Sequence, residues 1–231
     1  MRNMRIGVIS DVHANLPALE AALDFLRAAR VDEILCLGDV VGYGPHPNEV
    51  IERLRAEKIP TTLGGHDLKV AYPSLGATGG EEKEASLAWT REQLTPENLV
   101  FLKQLPPFLK LDTPYGRLRA FHGHPEDPER RFPLEEAEEI LARLRARLVL
   151  AGGRHVPILK RYAGVVLMDP GSVGLSLSGE PGADVAILNV SKDKVSARTF
   201  KLPYEFGRTA FDLKAWGLPD RIAEVIQRGA L

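Results

Sequence analysis

Apolar and polar positions along the chain follow two periods in turn. Residues 5–10 (RIGVIS), 33–37 (EILCL) and 61–63 are apolar runs of strand length, whereas residues 17–29 and 47–58 carry apolar side chains at helical spacing. In the first helical segment Leu16, Leu19, Ala22, Leu23 and Leu26 make one stripe, with Asn15 at the N-cap position and Pro17 in the first turn. This βαβα order predicts parallel strands joined by crossover helices. A glycine-rich loop at 76–80 and helices at 81–94 and 96–105 follow, and Pro106-Pro107 stops them. From Arg117 the pattern gives a strand, a helix at 134–146, a strand at 148–150, and β runs at 164–168, 184–190 and 195–202. The last three suggest an antiparallel portion. The tail from Tyr204 reads as two short helices around Gly217-Leu218-Pro219. The pattern thus predicts an α/β domain over residues 1–203 and a helical appendage, residues 204–231, packed on its outside.

Composition narrows the partners. A formal net charge of -1 gives no electrostatic reason to expect a nucleic acid or an acidic membrane as obligate partner, so any preference for phosphate must be local. No run is long enough to span a bilayer, and the apolar stretch at 6–9 is too short for a signal peptide, so the chain reads as cytoplasmic. Cys36, the single cysteine, sits inside an apolar run and reads as a small core residue. Arginine outnumbers lysine about two to one and Asn and Gln are scarce, a bias shared by thermophile proteins and GC-rich genomes.

The chemistry is concentrated at strand ends. His13, His66, His122, His124 and His155 fall in four short segments, SDVH, GGHD, HGH and GGRH, and a fifth, GDVVGYG, adds Asp39. Histidine is the commonest metal ligand, and carboxylates beside it make a mixed nitrogen and oxygen site suited to Mn, Fe or Zn. Asp11 and His13 are two apart, so a strand end can present both to one side. Taken alone, Asp11 could equally cap a turn. Asp39 follows a buried run, where a carboxylate needs a cation to hold it. Gly42, Tyr43 and Gly44 do not make a phosphate loop, because the lysine and hydroxyl residue that such a loop requires are missing. His46, between two prolines, reads as a solvated loop residue.

SDVH, LGDVVGYGP, GGHD, FHGHPEDP, GGRHVP and DPGSVG, in this order, resemble the calcineurin-like metallophosphoesterase superfamily over nearly the whole chain, and most closely its small bacterial phosphodiesterase-like branch. The resemblance implies a four-layer α/β/β/α sandwich of two mixed sheets and a divalent-metal site at their edge, with Mn first in line. By that likeness Asp11, His13, Asp39 and His155 hold a first metal, Asp39 bridges to a second, and His122 belongs to the second. His66 would protonate the leaving oxygen, with Asp67 orienting its ring. The implied substrate is a small phosphorylated molecule.

Two departures fall on one metal. Where the family has an asparagine and a histidine as ligands of the second ion, this chain has Gly65 and Gly153. The expectation is one tight site and a second that is weak or rebuilt. His124 could replace a ligand if the strand carrying His122 continues that far, and Arg154 could supply charge to a phosphate. Asp169, in place of the family's asparagine, and the stretch Leu175-Ser176-Leu177-Ser178 imply altered substrate contacts. The alternative to a phosphoesterase is a non-catalytic phosphate-binding or regulatory protein on the same fold.

Overall fold

The computed structural model describes residues 2–75 and 80–231, so of the glycine-rich loop only Gly80 is among the described residues. The chain runs β1 (Met4–Ile9), α1 (Leu16–Ala28), β2 (Glu33–Cys36), α2 (Pro47–Ala56), α3 (Gly65–Ala71), α4 (Glu81–Gln93), α5 (Pro96–Gln104), β3 (Phe108–Thr113) and β4 (Gly116–His122). It continues α6 (Ala137–Leu144), β5 (Leu148–Gly152), β6 (Ile158–Tyr162), β7 (Val165–Asp169), β8 (Ala183–Val190), β9 (Val195–Leu202), α7 (Phe206–Ala215) and α8 (Asp220–Arg228).

Two mixed sheets result, ordered β2-β1-β8-β9 and β3-β4-β5-β7-β6. Because successive strand side chains point to opposite faces, each central strand feeds two cores. Ile6 and Val8 of β1, with Ala186 and Leu188 of β8, meet Leu118, Ala120, Leu148, Leu150, Val166 and Met168 between the sheets. The other face of the first sheet, with Ile9, Val185 and Ile187, lies under α1, α2 and residues of α3 to α5. The outer face of the second, with Phe121, Val149 and Leu167, lies under α6 and Phe132. These are the four layers, helix, sheet, sheet, helix. Gly7 lets α1 settle closely, since a Cβ there would lie 2.9 Å from Leu26 Cδ2. Asn15 caps α1 as expected, accepting from Ala18 N at 3.3 Å.

Four local expectations need correction. The apolar run at 61–63 makes a single bridge from Thr61 to Cys36, because Gly64 at once caps α3. β7 lies parallel to β5 and antiparallel to β6, in the sheet opposite β8 and β9. Residues 134–146 divide into a 3-10 turn at Leu134–Glu136 and α6, which ends at Arg145 in the left-handed region. His46 is held, not solvated: its Nε2 lies 3.0 Å from Asp212 Oδ2 on α7. Through that contact and the apolar cluster of Leu175, Leu213, Leu218, Ile222 and Val225, the tail helices pack on the domain. Among the described residues no helix is long and apolar enough to cross a membrane.

Candidate metal centre

The carboxyl ends of β1 and β2 in one sheet and of β4 and β5 in the other converge at one edge of the molecule. Just beyond β1 and β2 the backbone is cross-linked, Asp11 N donating to Gly38 O and His13 N to Asp39 O, both at 3.0 Å. His122 pairs in register with Gly152 across β4 and β5. The turns that follow are strained, with Asp11, His13, Ala14, Asp39, Tyr43 and His155 at φ of 54, 48, 52, 50, 65 and 61°. Non-glycine residues are uncommon there, at about 1–3 kcal/mol each, and cluster where surrounding structure holds functional side chains in place.

The convergence yields a buried group of donors. Asp11, His13 and His155 form one set, and Asp11, Asp39 and His122 another, with a third of His13, Asp39 and His66; within each set the ligand atoms lie within 4.8 Å of one another. His13 Nε2 and His155 Nε2 are 3.1 Å apart, and Asp11 Oδ1 lies 3.1 Å from His155 Nε2. His122 Nε2 lies 3.4 Å from Asp39 Oδ2. The ring nitrogens that face away are fixed by backbone: His122 Nδ1 donates to Leu37 O at 2.8 Å and His155 Nδ1 to Leu175 O at 2.7 Å. Each leaves Nε2 aimed at the carboxylates, the usual device for orienting a metal-binding imidazole.

Electrostatics point the same way. Burial opposes charge on Asp11 and Asp39, yet the neighbouring His155 and His122 for the one, and His122 and His66 for the other, hold both carboxyls well below the usual range. Burial would likewise lower His122, but Asp39 and Asp11 push it up to about 10, and Asp11 raises His155. His13, where burial is reinforced by His66 and His155, is held well below the ordinary imidazole value. Among the described residues Asp11 Oδ1, His13 Nδ1 and His66 Nε2 are buried without a hydrogen-bond partner. Nitrogens bound about 2.1 Å from one tetrahedral ion would lie about 3.4 Å apart, close to the His13 to His155 separation. An orphaned buried carboxylate oxygen beside two facing imidazole nitrogens therefore fits a divalent cation.

Five of the residues expected to bind metal, Asp11, His13, Asp39, His122 and His155, are thus brought together. Others are not. β4 ends at His122, and Gly123 turns the chain at φ 61°, so His124 goes to a separate surface cavity with Phe108, Arg119 and Ile140. The Arg154 guanidinium turns to Phe132 O at 3.1 Å, away from the donors. Asp67 makes no hydrogen bond to the His66 ring. Its carboxylate accepts from Val40, Val41 and Gly64 N at 2.9, 3.1 and 3.0 Å, and burial followed by the charge of Asp39 pushes it up to about 7. Asp39 orients His66 instead, taking its N at 2.8 Å on Oδ1 and its Nδ1 at 2.7 Å on Oδ2. Asp169 accepts from Gly171 N and Arg154 N at 2.9 and 3.3 Å, beneath the site.

Over the donors opens a pocket of about 290 Å³, lined by Asp39, His66, His122 and His155, by Tyr43, Leu175 and Leu177, and by Lys83, Arg130 and Arg131. The two arginines were not singled out in the sequence, although the basic pair beginning six residues beyond the HGH segment was the available signal. Leu175 and Leu177 do stand in the pocket, where the sequence implied altered contacts.

Fold and donor set together define a metal-dependent phosphoesterase class of α/β protein. The chain belongs to the calcineurin-like phosphoesterase superfamily, whose domain model matches residues 4–193. It is 31% identical over 173 residues to an uncharacterized protein of Methanocaldococcus jannaschii, covering 74% of this chain and 70% of that one. It is 24% identical over 180 residues to the phosphodiesterase YfcE of Escherichia coli, covering 78% and 85%. Among solved structures, a metallophosphoesterase from Sphaerobacter thermophilus superposes with a TM-score of 0.81 at 30% identity, covering 98% of this chain and 99% of that one. A hypothetical protein from Pyrococcus horikoshii shares the fold at 21% identity with a TM-score of 0.88, covering 98% of each chain.

Proposed function

We propose that this protein hydrolyses small phosphodiesters with the help of a divalent ion held by Asp11, His13, Asp39 and His155. The observation that carries the reading is the donor group sharing Asp11 and Asp39 beneath a pocket lined by His66, whose Nε2 has no hydrogen-bond partner. The mixed nitrogen and oxygen donors suit Mn, Fe or Zn, and Mn is the ion proposed first. A second, weaker position rests on Asp39, His122 and Asp11, because Gly65 and Gly153 offer no donor. A bound divalent ion would supply positive charge to phosphoryl oxygens and acidify water at neutral pH.

The chain's own residues do the rest. Asp39, bonded to both the backbone and Nδ1 of His66, fixes the ring and leaves Nε2 without a partner. As water's oxygen joins phosphorus and the bond to the leaving oxygen breaks, protonated Nε2 gives its proton to that oxygen. Leu175 and Leu177 give the pocket an apolar side.

The test compares leaving groups. In Mn-loaded H66A, kcat for a diester with an alkoxide leaving group should fall about 100-fold to 10,000-fold, the usual contribution of a general acid. Loss for a nitrophenyl diester should be far smaller, since that leaving group needs no proton. Equal losses would remove His66 from the acid's role. A parent enzyme that binds Mn yet turns over neither diester would leave a non-catalytic binding protein.

A further inference from the structure

Gly65 does more than lack a ligand atom. A Cβ there would lie 3.1 Å from Pro128 O and 3.3 Å from Glu129 Cα, so the segment after β4 occupies the room that a side chain at this position would take. That segment is fixed in place. His124 N donates to Arg130 O at 2.7 Å, Glu129 N to Asp127 Oδ1 at 2.9 Å, and buried Lys69 of α3 binds Glu129 Oε2 at 2.9 Å. What this docking brings to the pocket is the Arg130-Arg131 pair, which lines the same cavity as Asp39, His122 and His155, with Lys83 of α4 also on the wall.

The charges there are unequally committed. Arg130 is paired with Glu136 at 2.9 Å and Glu129 with Lys69, whereas Arg131 has no ion-pair partner within 4.0 Å among the described residues. A phosphodiester carries one negative charge at the phosphorus under attack, and the donor site already faces that group. A free guanidinium lining the same pocket, whose planar donors match phosphate oxygens, therefore answers a second anion on the same substrate. Tyr43, Leu175 and Leu177 offer an aromatic and apolar side for an organic group. A cavity of about 290 Å³ accepts a small molecule of that kind.

We infer that the 128–131 segment, seated on Gly65, makes the pocket selective for nucleotide-type substrates with at least one phosphate beyond the one attacked, Arg131 holding that extra phosphate and Lys83 assisting. This rests on the hydrolytic reading above. In the reaction, water's oxygen bonds to the attacked phosphorus, the bond from that phosphorus to the leaving oxygen breaks, and the extra phosphate stays intact as a handle.

The experiment uses two chromogenic substrates with one leaving group: the p-nitrophenyl esters of thymidine 5′-monophosphate and of thymidine 5′-diphosphate, the latter attacked at its terminal phosphorus. The parent should prefer the diphosphate ester in kcat/KM by tenfold or more. R131Q should erase most of that preference, and K83Q part of it. No preference in the parent, or an R131Q preference equal to the parent's, would overturn the inference. Calorimetric binding of thymidine diphosphate to the Mn-loaded protein keeps the two readings apart. If no ester is turned over, hydrolysis fails, yet a Kd weakened tenfold or more in R131Q still supports the anion site, and an unchanged Kd refutes it.

Discussion

Asp39 is engaged from three directions, by the His66 amide, the His66 ring and the His122 ring. It couples the residue proposed as proton donor to the donor group beneath it, so His66 is set by the same carboxylate that faces the metal. The pairing has a consequence for metal uptake. His122, pushed up to about 10 by Asp39 and Asp11, is protonated at neutral pH in the metal-free protein, and an imidazole must be neutral to bind a metal. Binding at that position should therefore expel about one proton, and affinity should rise about tenfold per pH unit below the raised value. Titration calorimetry in buffers of different ionisation enthalpy reads the released proton; none at pH 7 would mean the His122 ion pair is absent. The same pairing should stabilise the metal-free fold fully below the ordinary imidazole value of 6.5 and fade as pH rises through about 10. Asp11, His13, Asp39, His122 and His155 were legible in the sequence because ordered motifs at strand ends mark them. The turns of His124 and Arg154 were not, because a single positive φ at Gly123 or a rotamer choice decides them.

Elements carried the same lesson in a different form. Helices α1, α2, α4 and α5 and the central strands are where their apolar periods place them, because those faces are buried in the two cores. β3 and β6 went unread because they are the two edges of the second sheet, with solvated faces and polar side chains such as those of Lys110, Asp112, Lys160 and Arg161. α3 went unread because seven residues are too few to show a period. The element that carries the proposed proton donor is thus the least visible, since α3 holds Gly65, His66 and Asp67. The two glycines also differ in what they permit. Gly153 sits at φ 85° with a Cβ position 3.0 Å from His122 Nε2, so a side chain there meets both backbone strain and a metal donor. G153A should lose about 1–3 kcal/mol of stability. In G65A, at the first residue of α3 and outside the left-handed region, only the close contact with Pro128 O opposes the added methyl, so the loss should be smaller than in G153A. Urea unfolding of the two proteins checks the contrast; equal losses would mean that the Gly153 conformation is not required.

At the scale of the molecule, the donors come from both sheets: Asp11, His13 and Asp39 follow β1 and β2, while His122 and His155 come from β4 and the turn after β5. A bound ion would tie the open edge of the sandwich where the apolar core between the sheets ends. It would also satisfy the orphaned Asp11 Oδ1, so binding should favour the folded state strongly. With free ion at one hundred times Kd, the gain is about 2.7 kcal/mol. For a chain of this size each kcal/mol moves the midpoint by about 2–4 °C. Mn should thus raise Tm by roughly 5–11 °C over the chelated protein. The origin of the rise can be divided between the two positions by substitution. H155A removes a donor of the stronger set and should abolish most of the shift, whereas H122A touches only the weaker set and should keep most of it. Differential scanning calorimetry with Mn and with chelator measures all three proteins. A parent whose Tm ignores Mn, Fe and Zn would show that the buried donors are a hydrogen-bonded cluster and nothing more. A shift lost in H122A and kept in H155A would place the strong site on His122 and overturn the assignment of Asp11, His13, Asp39 and His155.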